Sequence, residues 1–449
     1  MSRQPARRTR PTGEVAGLAS RRLAAEAVAG TLAGEAGLDE ILGPDPDPLA
    51  RAIASATFRR LGTIRQALAD RLPRGIPPEA TAFSLLATGA AQVLFLNIPD
   101  HAAVDLAVRL ADGSRRTRHL AGLANAVLRR LARERDEILA TAPVSVDVPD
   151  WLAARWRLTY GQDRLERIAA LHREGAALDL TCRQDAAGWA GRLDATLLPT
   201  GSLRVADRRR VPDLPGYQEG AWWVQDAAAA LPARLLDVRA GERVLDICAA
   251  PGGKTAQLAA TGARVTALDR SQPRLDRLAD NLRRVGLDAE IVCRDALRYG
   301  AEPFDAVLLD APCSATGTIR RHPDIPWTKR EGDVASLAKV QHALLDHAAT
   351  LVRPGGRLVY CVCSLEPEEG EAQAAAFLER HGDFRRNPIG AESLGIEPSL
   401  LSPDGDLRTV PDLWPGGEGR PEGDRPGLDG FFAVSLLRDP DGRPGLRQA

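Results

Sequence analysis

At 449 residues, with 44% hydrophobic and 27% charged side chains, the chain is long enough for about three domains, each able to bury its own core. The formal charge of −1 hides an uneven spread: residues 1–140 hold 20 Arg, no Lys and 15 acids, a net +5, which leaves −6 for the remainder. No apolar run reaches membrane-spanning length, and the N-terminus has charges but no apolar stretch of a secretory signal; six cysteines without framework spacing speak against a disulfide-stapled fold and for a reducing cytoplasm.

In chain order, residues 1–14 come first, with four Arg and no acid among the first ten; they read as a basic disordered tail, either a solubilising end or an arm that seeks phosphate. Residues 15–140 read as all helix. Leu23, Ala24, Ala27, Val28 and Leu32 recur at helical spacing, as do Ile53, Ala56, Thr57, Leu61 and Ile64. Pro77-Pro78 opens a helix carrying Phe83, Leu86, Ala87, Ala90, Val93 and Leu94. Pro99 starts another, and a last helix runs near 118–139; the short connections imply a compact bundle. Residues 141–220 read as a small α/β module, with two helices around 150–173, strand-like Leu178–Arg183, and Ser202–Val205.

From 221 onward the pattern alternates strand, loop and helix, which argues a doubly wound parallel sheet and an α/β fold class. Its strands are expected at Val244–Cys248, Val265–Asp269, Ile291–Cys293, Phe304–Leu309 and Arg357–Cys363, with Gly430–Leu437 closing an edge and a long loop over 400–430.

Two strand ends carry the chemistry. Asp310-Ala311-Pro312-Cys313 leaves the fourth strand at a proline that cannot continue a ladder, and Cys363 ends the fifth. If those strands are parallel neighbours, both thiols face one crevice, where a thiol can attack an electrophilic ring and later be released. The loop Cys248-Ala249-Ala250-Pro251-Gly252-Gly253-Lys254-Thr255 follows the first strand and opens a helix, but has neither the Walker nor the dinucleotide spacing. Asp269 ends the second strand, where an acid grips ribose hydroxyls, and Asp295 lies beyond the third. A ribose and a carboxylate without phosphate point to S-adenosylmethionine: the helix end for its carboxylate, Asp269 for the ribose, Asp295 for the adenine amine. Each acid alone is as well read as a cap or a turn. A thiolate adding at carbon 6 of a pyrimidine would let carbon 5 take a methyl group, and Asp310, if protonated, could bond ring N3. The residues alone leave open which thiol attacks, and Cys361 with Cys363 could instead be a metal pair, although no His or further Cys pair flanks it.

Pro312-Cys313 looks like the nucleophile arrangement of DNA cytosine-5 methyltransferases. The paired arrangement, Asp310-Ala311-Pro312-Cys313-Ser314 with Cys363-Ser364, resembles instead the RNA cytosine-5 methyltransferases of the NOL/NOP/Sun class, and Arg320–Ile325 and Pro367-Glu368-Glu369 extend the likeness. Leu85–Gln92, Ile98–Val104 and Gly122–Arg130 resemble the NusB-type RNA-binding helical fold. Together the pieces are similar to the bacterial 16S ribosomal RNA members of that class. The resemblance implies a Rossmann-like class I methyltransferase sheet over residues 221–449 and Cys363 as nucleophile with Cys313 for product release. It also implies S-adenosylmethionine contacts from Cys248 through Lys254 and from Asp269, Asp295 and Asp310. The implied substrate is 16S ribosomal RNA, with tRNA or 23S ribosomal RNA as the alternative, and the implied state is a monomer without metal. Arg320, Arg321 and His322 are expected to steer RNA phosphates. Val362 stands where Thr is usual in the class, and Gly370 where Asn often follows the two Glu.

Overall fold

In the helix Ala80–Phe95 every residue from Ala82 to Leu94 is buried, the polar row Ser84, Thr88 and Gln92 included. A helix buried on every side belongs at the centre of a bundle. Helices Leu18–Ala33, Pro48–Arg59, Leu61–Ala69, Asp100–Asp112 and Ala121–Arg133 form the bundle around it, and their buried positions join one apolar core. The computed structural model describes residues 16–206, 209–413 and 427–441, so the expected basic tail lies outside the described residues. The chain divides into two units, residues 1–153 with 322–328, and residues 154–321 with 329–449.

In the first unit the periodic stretch 53–64 is two helices rather than one, broken at Arg60 (φ −122°), and the stretch expected as one helix near 118–139 breaks at Glu134. Hydrophobic spacing persists across such a break, so periodicity alone cannot find it. Residues 322–328 join this unit. Asp324 Oδ2 accepts from Leu38 N at 3.1 Å, capping the short helix Leu38–Leu42 from far along the chain, and Trp327 Nε1 donates to Phe58 O at 2.9 Å.

The second unit holds two sheets. The smaller contains β1 (Leu178–Cys182), β2 (Ala195–Leu197), β3 (Leu203–Val205) and β4 (Trp222–Val224), antiparallel in the order β2-β3-β1-β4. The strand β4 falls beyond the expected boundary at 220, yet it pairs with β1 and belongs to this module. The larger sheet contains β5 (Arg243–Ile247), β6 (Arg264–Asp269), β7 (Glu290–Cys293), β8 (Phe304–Asp310), β9 (Val352–Val362), β10 (Phe384–Arg386), β11 (Leu407–Thr409) and β12 (Phe431–Arg438). Its order is β10-β12-β9-β8-β5-β6-β7, with β11 also on β12. Strands β5 to β9 are mutually parallel and almost continuously apolar where helices cover both faces; Val307, Leu308 and Leu309 are all buried. The helix Gln272–Val285 shows how local sequence sets such a cover: proline sits in its first turn, and Leu275, Leu278, Leu282 and Val285 form the buried stripe.

The expectation that 430–437 closes an edge is corrected: β12 is antiparallel and interior, between β9 on one side and β10 and β11 on the other. Its covering strands are three residues each, too short for period-two alternation to register, and β11 lies in the stretch read as a long loop. The strand order reverses between β5 and β8, and a ligand crevice opens outside the carboxyl ends at such a switch point.

Candidate active site

The crevice is lined from the carboxyl ends of the five parallel strands. After β8 the ladder runs one residue further, Ala311 N donating to Cys361 O at 3.0 Å, and then Pro312 ends it. The loop that follows is pinned on both sides: Gly317 N donates to Cys363 O at 3.1 Å and Gly430 N to Gly317 O at 2.8 Å. A methyl group on Gly317 would sit 1.9 Å from Gly430 O, so only glycine allows this approach. The result places Cys313 Sγ 3.5 Å from Cys363 Sγ. The Cys363 contact, burial and the Glu369 charge push the Cys313 thiol well above its ordinary range.

Asp310 pairs across the ladder with Cys361. Its Oδ1 lies 3.4 Å from the Cys361 thiol, and its Oδ2 accepts from Lys254 Nζ at 2.9 Å. Burial opposes the charge on Lys254, but Asp310 and the neighbouring Cys361 and Cys363 hold its ammonium above the usual lysine range. Asp310 is thus held between the Cys361 thiol and the Lys254 side chain. Cys361, wholly buried, faces Asp310, and among the described residues no three His, Cys, Asp or Glu are grouped as a metal ion would require.

The loop after β5 turns at Cys248 (φ 61°) and Gly252 (φ 100°) and feeds the helix Gly253–Ala260, whose N-terminus has no side-chain cap. A side chain at Gly252 would also meet Leu278 at 2.7 Å. Ala249 and Ala250 are buried and Pro251 is exposed; Cys248 packs against the core of the sheet, and burial raises its thiol. Asp269, buried at the end of β6, accepts from Ala250 N at 3.3 Å and Ser271 N at 3.0 Å. Asp295 is exposed beyond β7, and one of its oxygens caps its own turn at Leu297 N, 3.0 Å.

One acid that sequence reasoning left without a role stands out. Asp246, fully buried, accepts from Thr255 Oγ1 at 2.6 Å with Oδ2, while Oδ1 has no partner. Burial, with Asp310 and Asp269 nearby, pushes it up to about 7 against the pull of Thr255 and Lys254. An uncapped helix N-terminus suits a ligand carboxylate, and three carboxylates beside it, one with an oxygen in want of a donor, suit a ligand that also carries positive charge. S-adenosylmethionine fits that donor set.

The steering expectation for Arg320 is corrected. Arg320 is fully buried, 4.0 Å from Asp226 and 3.9 Å from Asp429, so no RNA phosphate reaches it. Arg321 is 35% exposed and donates through Nε to Asp429 Oδ2 at 2.6 Å; His322, in the first unit, faces Asp39 at 2.9 Å. Adjacent basic residues in sequence looked like one patch, whereas Arg320 and Arg321 both turn to Asp429 and His322 turns to Asp39.

The family described as 16S rRNA methyltransferase RsmB/F matches residues 233–418, and the NusB family matches residues 18–133. The chain is 39% identical to Ribosomal RNA small subunit methyltransferase B of Vibrio cholerae over 73% of its own length and 79% of that protein. It is 36% identical to the protein of the same name from Salmonella arizonae over 80% and 83%. Among solved structures, the crystal structure of PH0851 superposes with a TM-score of 0.71 at 24% identity, covering 93% of this chain and 98% of that one, and so shares the fold. With a NusB domain ahead of the sheet and such identity over most of its length, the chain belongs to the family of ribosomal RNA small subunit methyltransferase B.

Proposed function

We propose that the protein transfers a methyl group from S-adenosylmethionine to carbon 5 of a cytosine in 16S ribosomal RNA, with Cys363 as nucleophile and Cys313 as the residue of product release. The observation that carries this reading is the pair of sulfurs 3.5 Å apart at the ends of β8 and β9, beside the Lys254–Asp310 pair. Cofactor contacts fall to Cys248 through Lys254, Asp269, Asp295 and Asp310, and the bound cofactor supplies an electrophilic methyl group. The Cys363 thiolate adds to carbon 6 of a base turned out of its stack. Asp310 accepts from the exocyclic amine, and Lys254 donates to N3 as electron density builds there. Once carbon 5 carries the methyl group, its proton passes to a base in the crevice, and the electron pair left behind re-forms the 5,6 double bond and expels the Cys363 thiolate, with Cys313 alongside the leaving sulfur. Arg321 and the arginines of the NusB-like unit contact RNA phosphates, and the reaction takes place in the cytoplasm.

Separate alanine replacements test the assignment. With 16S RNA and methyl donor, Cys313→Ala accumulates a denaturant-resistant protein–RNA adduct, while Cys363→Ala forms none and loses turnover by about a thousandfold or more. The reverse pattern would make Cys313 the attacking thiol. Bisulfite mapping of 16S RNA from cells with and without the protein locates the cytosine; a change in tRNA or 23S RNA alone would redirect the substrate.

A further inference from the structure

Each reacting cysteine is followed by a serine, Ser314 and Ser364, and both serines converge on one buried carboxylate. Glu369 is fully buried. Its Oε1 accepts from Ser314 N at 2.9 Å and from Gln341 Nε2 at 3.0 Å; its Oε2 accepts from Ser314 Oγ at 2.5 Å and from Ser364 Oγ at 2.6 Å. The two hydroxyls lie 3.1 Å apart. Gln341 also donates to Pro312 O at 2.9 Å, and Tyr360 OH to the Glu369 carbonyl at 2.5 Å, so the carboxylate is itself held from the helix Glu331–Thr350 and from β9. Four donors from three segments satisfy both oxygens, as a buried carboxylate requires.

We propose that Glu369 is the positioning residue of the thiol pair: through Ser314 and Ser364 it ties the two cysteine loops together and keeps Cys313 within reach of the sulfur that has reacted. The two loops are also joined by Gly317 N donating to Cys363 O, by Leu365 N donating to Thr316 Oγ1, by Thr316 Oγ1 donating to Glu366 Oε1 and by the Thr316–Ser364 hydroxyl contact. The Glu369 charge also adds to the S–S contact and burial in keeping Cys313 protonated. Geometry and charge are separable. Oε1 faces two N–H groups that can only donate, whereas Oε2 faces two hydroxyls that can turn and accept. A glutamine with its oxygen at the Oε1 position therefore keeps the bracket and loses the charge; alanine loses both.

The inference rests on the covalent reading above, and the experiment separates the two. The full-length wild type, Cys313→Ala, Cys363→Ala, Glu369→Gln, Glu369→Ala and the double variant Ser314→Ala/Ser364→Ala are compared with 16S RNA and S-adenosylmethionine. Turnover, KM for RNA, trapped adduct and thermal midpoint are read for each. Glu369→Ala is expected to keep KM within about threefold while kcat falls about a hundredfold and adduct accumulates as in Cys313→Ala, with Glu369→Gln recovering at least tenfold of that loss. The serine double variant, whose fold keeps the carboxylate, is expected to accumulate adduct as well. If no folded variant of Glu369 or of the serine pair accumulates adduct, or if glutamine is as poor as alanine, the positioning role is overturned. If Cys313→Ala itself traps no adduct, the covalent reading has failed instead.

Discussion

At the scale of single residues the site is a set of buried charges whose partners decide their state. Asp246 faces Thr255, Lys254, Asp310 and Asp269, and is pushed up to about 7 from an ordinary value of about 3.9. Between about pH 4 and pH 7 the folded protein therefore holds a proton on Asp246 that the unfolded chain has lost. Its contribution to stability is fully present below about pH 4 and disappears as pH rises through about 7. Asn keeps an acceptor for Thr255 and has nothing to titrate. In melting curves of the ligand-free protein, Asp246→Asn should gain on the wild type between pH 5 and pH 8, and a constant gap would show that Asp246 does not titrate there. The affinity for S-adenosylmethionine should rise with pH through about 7 in the wild type and flatten in the variant, because an ionised Asp246 attracts a cationic ligand. The thiols, Asp269 and Asp310 were visible in the sequence as residues at strand ends. Glu369 was visible only as part of a motif, although the repeated Cys-Ser dipeptides at 313–314 and 363–364 and an acid five residues later were a signal available to be read.

Among elements, the parallel strands were legible because each is an apolar run bounded by loop residues, and the helix Gln272–Val285 because proline and leucine spacing mark it. What escaped was short or broken: β10 and β11, the breaks at Arg60 and Glu134, and the place of β12 inside the sheet. These depend on which segments meet across the chain, and three-residue strands carry no period of their own. The stacking of Gly317 between Cys363 and Gly430 belongs to this scale and makes a prediction. Gly317→Ala forces the Cys313 loop away from the lead-in to β12, at a cost of about 1–3 kcal/mol by urea unfolding. Turnover of the fully folded variant should fall as well, since the displaced loop carries a thiol. Gly122→Ala is the control: it lies in a helix with nothing within 4 Å of the added methyl, and should be neutral or stabilising by up to about 1 kcal/mol. Equal effects at the two positions would rule out the close approach as the cause.

For the whole molecule, the second unit is tied together by charges that sit far apart in sequence. Arg204 on β3 grips Asp179 on β1 through two bonds of 2.8 Å, both side chains almost completely buried. Asp179 Oδ2 also accepts from Ala227 N, and Asp226 Oδ1 from Asp429 N; Asp226 and Asp429 in turn flank Arg320. The small antiparallel sheet is thereby joined to the loop that carries Cys313. Asp179→Ala should cost about 3–5 kcal/mol in denaturant unfolding, because it breaks a buried, doubly hydrogen-bonded ion pair, and adding Arg204→Met should restore most of that. If the double variant is as unstable as the single, the loss comes from the backbone bond to Ala227 rather than from the broken ion pair.

The sequence by itself determined the order of domains, the parallel strands, the glycine loop after β5 and the two thiols, because apolar periodicity, proline and glycine act over a few residues and leave a local mark. Only the tertiary structure decided that Arg320 is a buried counter-ion, that Lys254 turns to Asp310, that residues 322–328 belong with the helical unit and that one carboxylate brackets both cysteines. Burial and charge pairing are properties of the environment that distant segments create around a side chain, and no short stretch of residues encodes that environment.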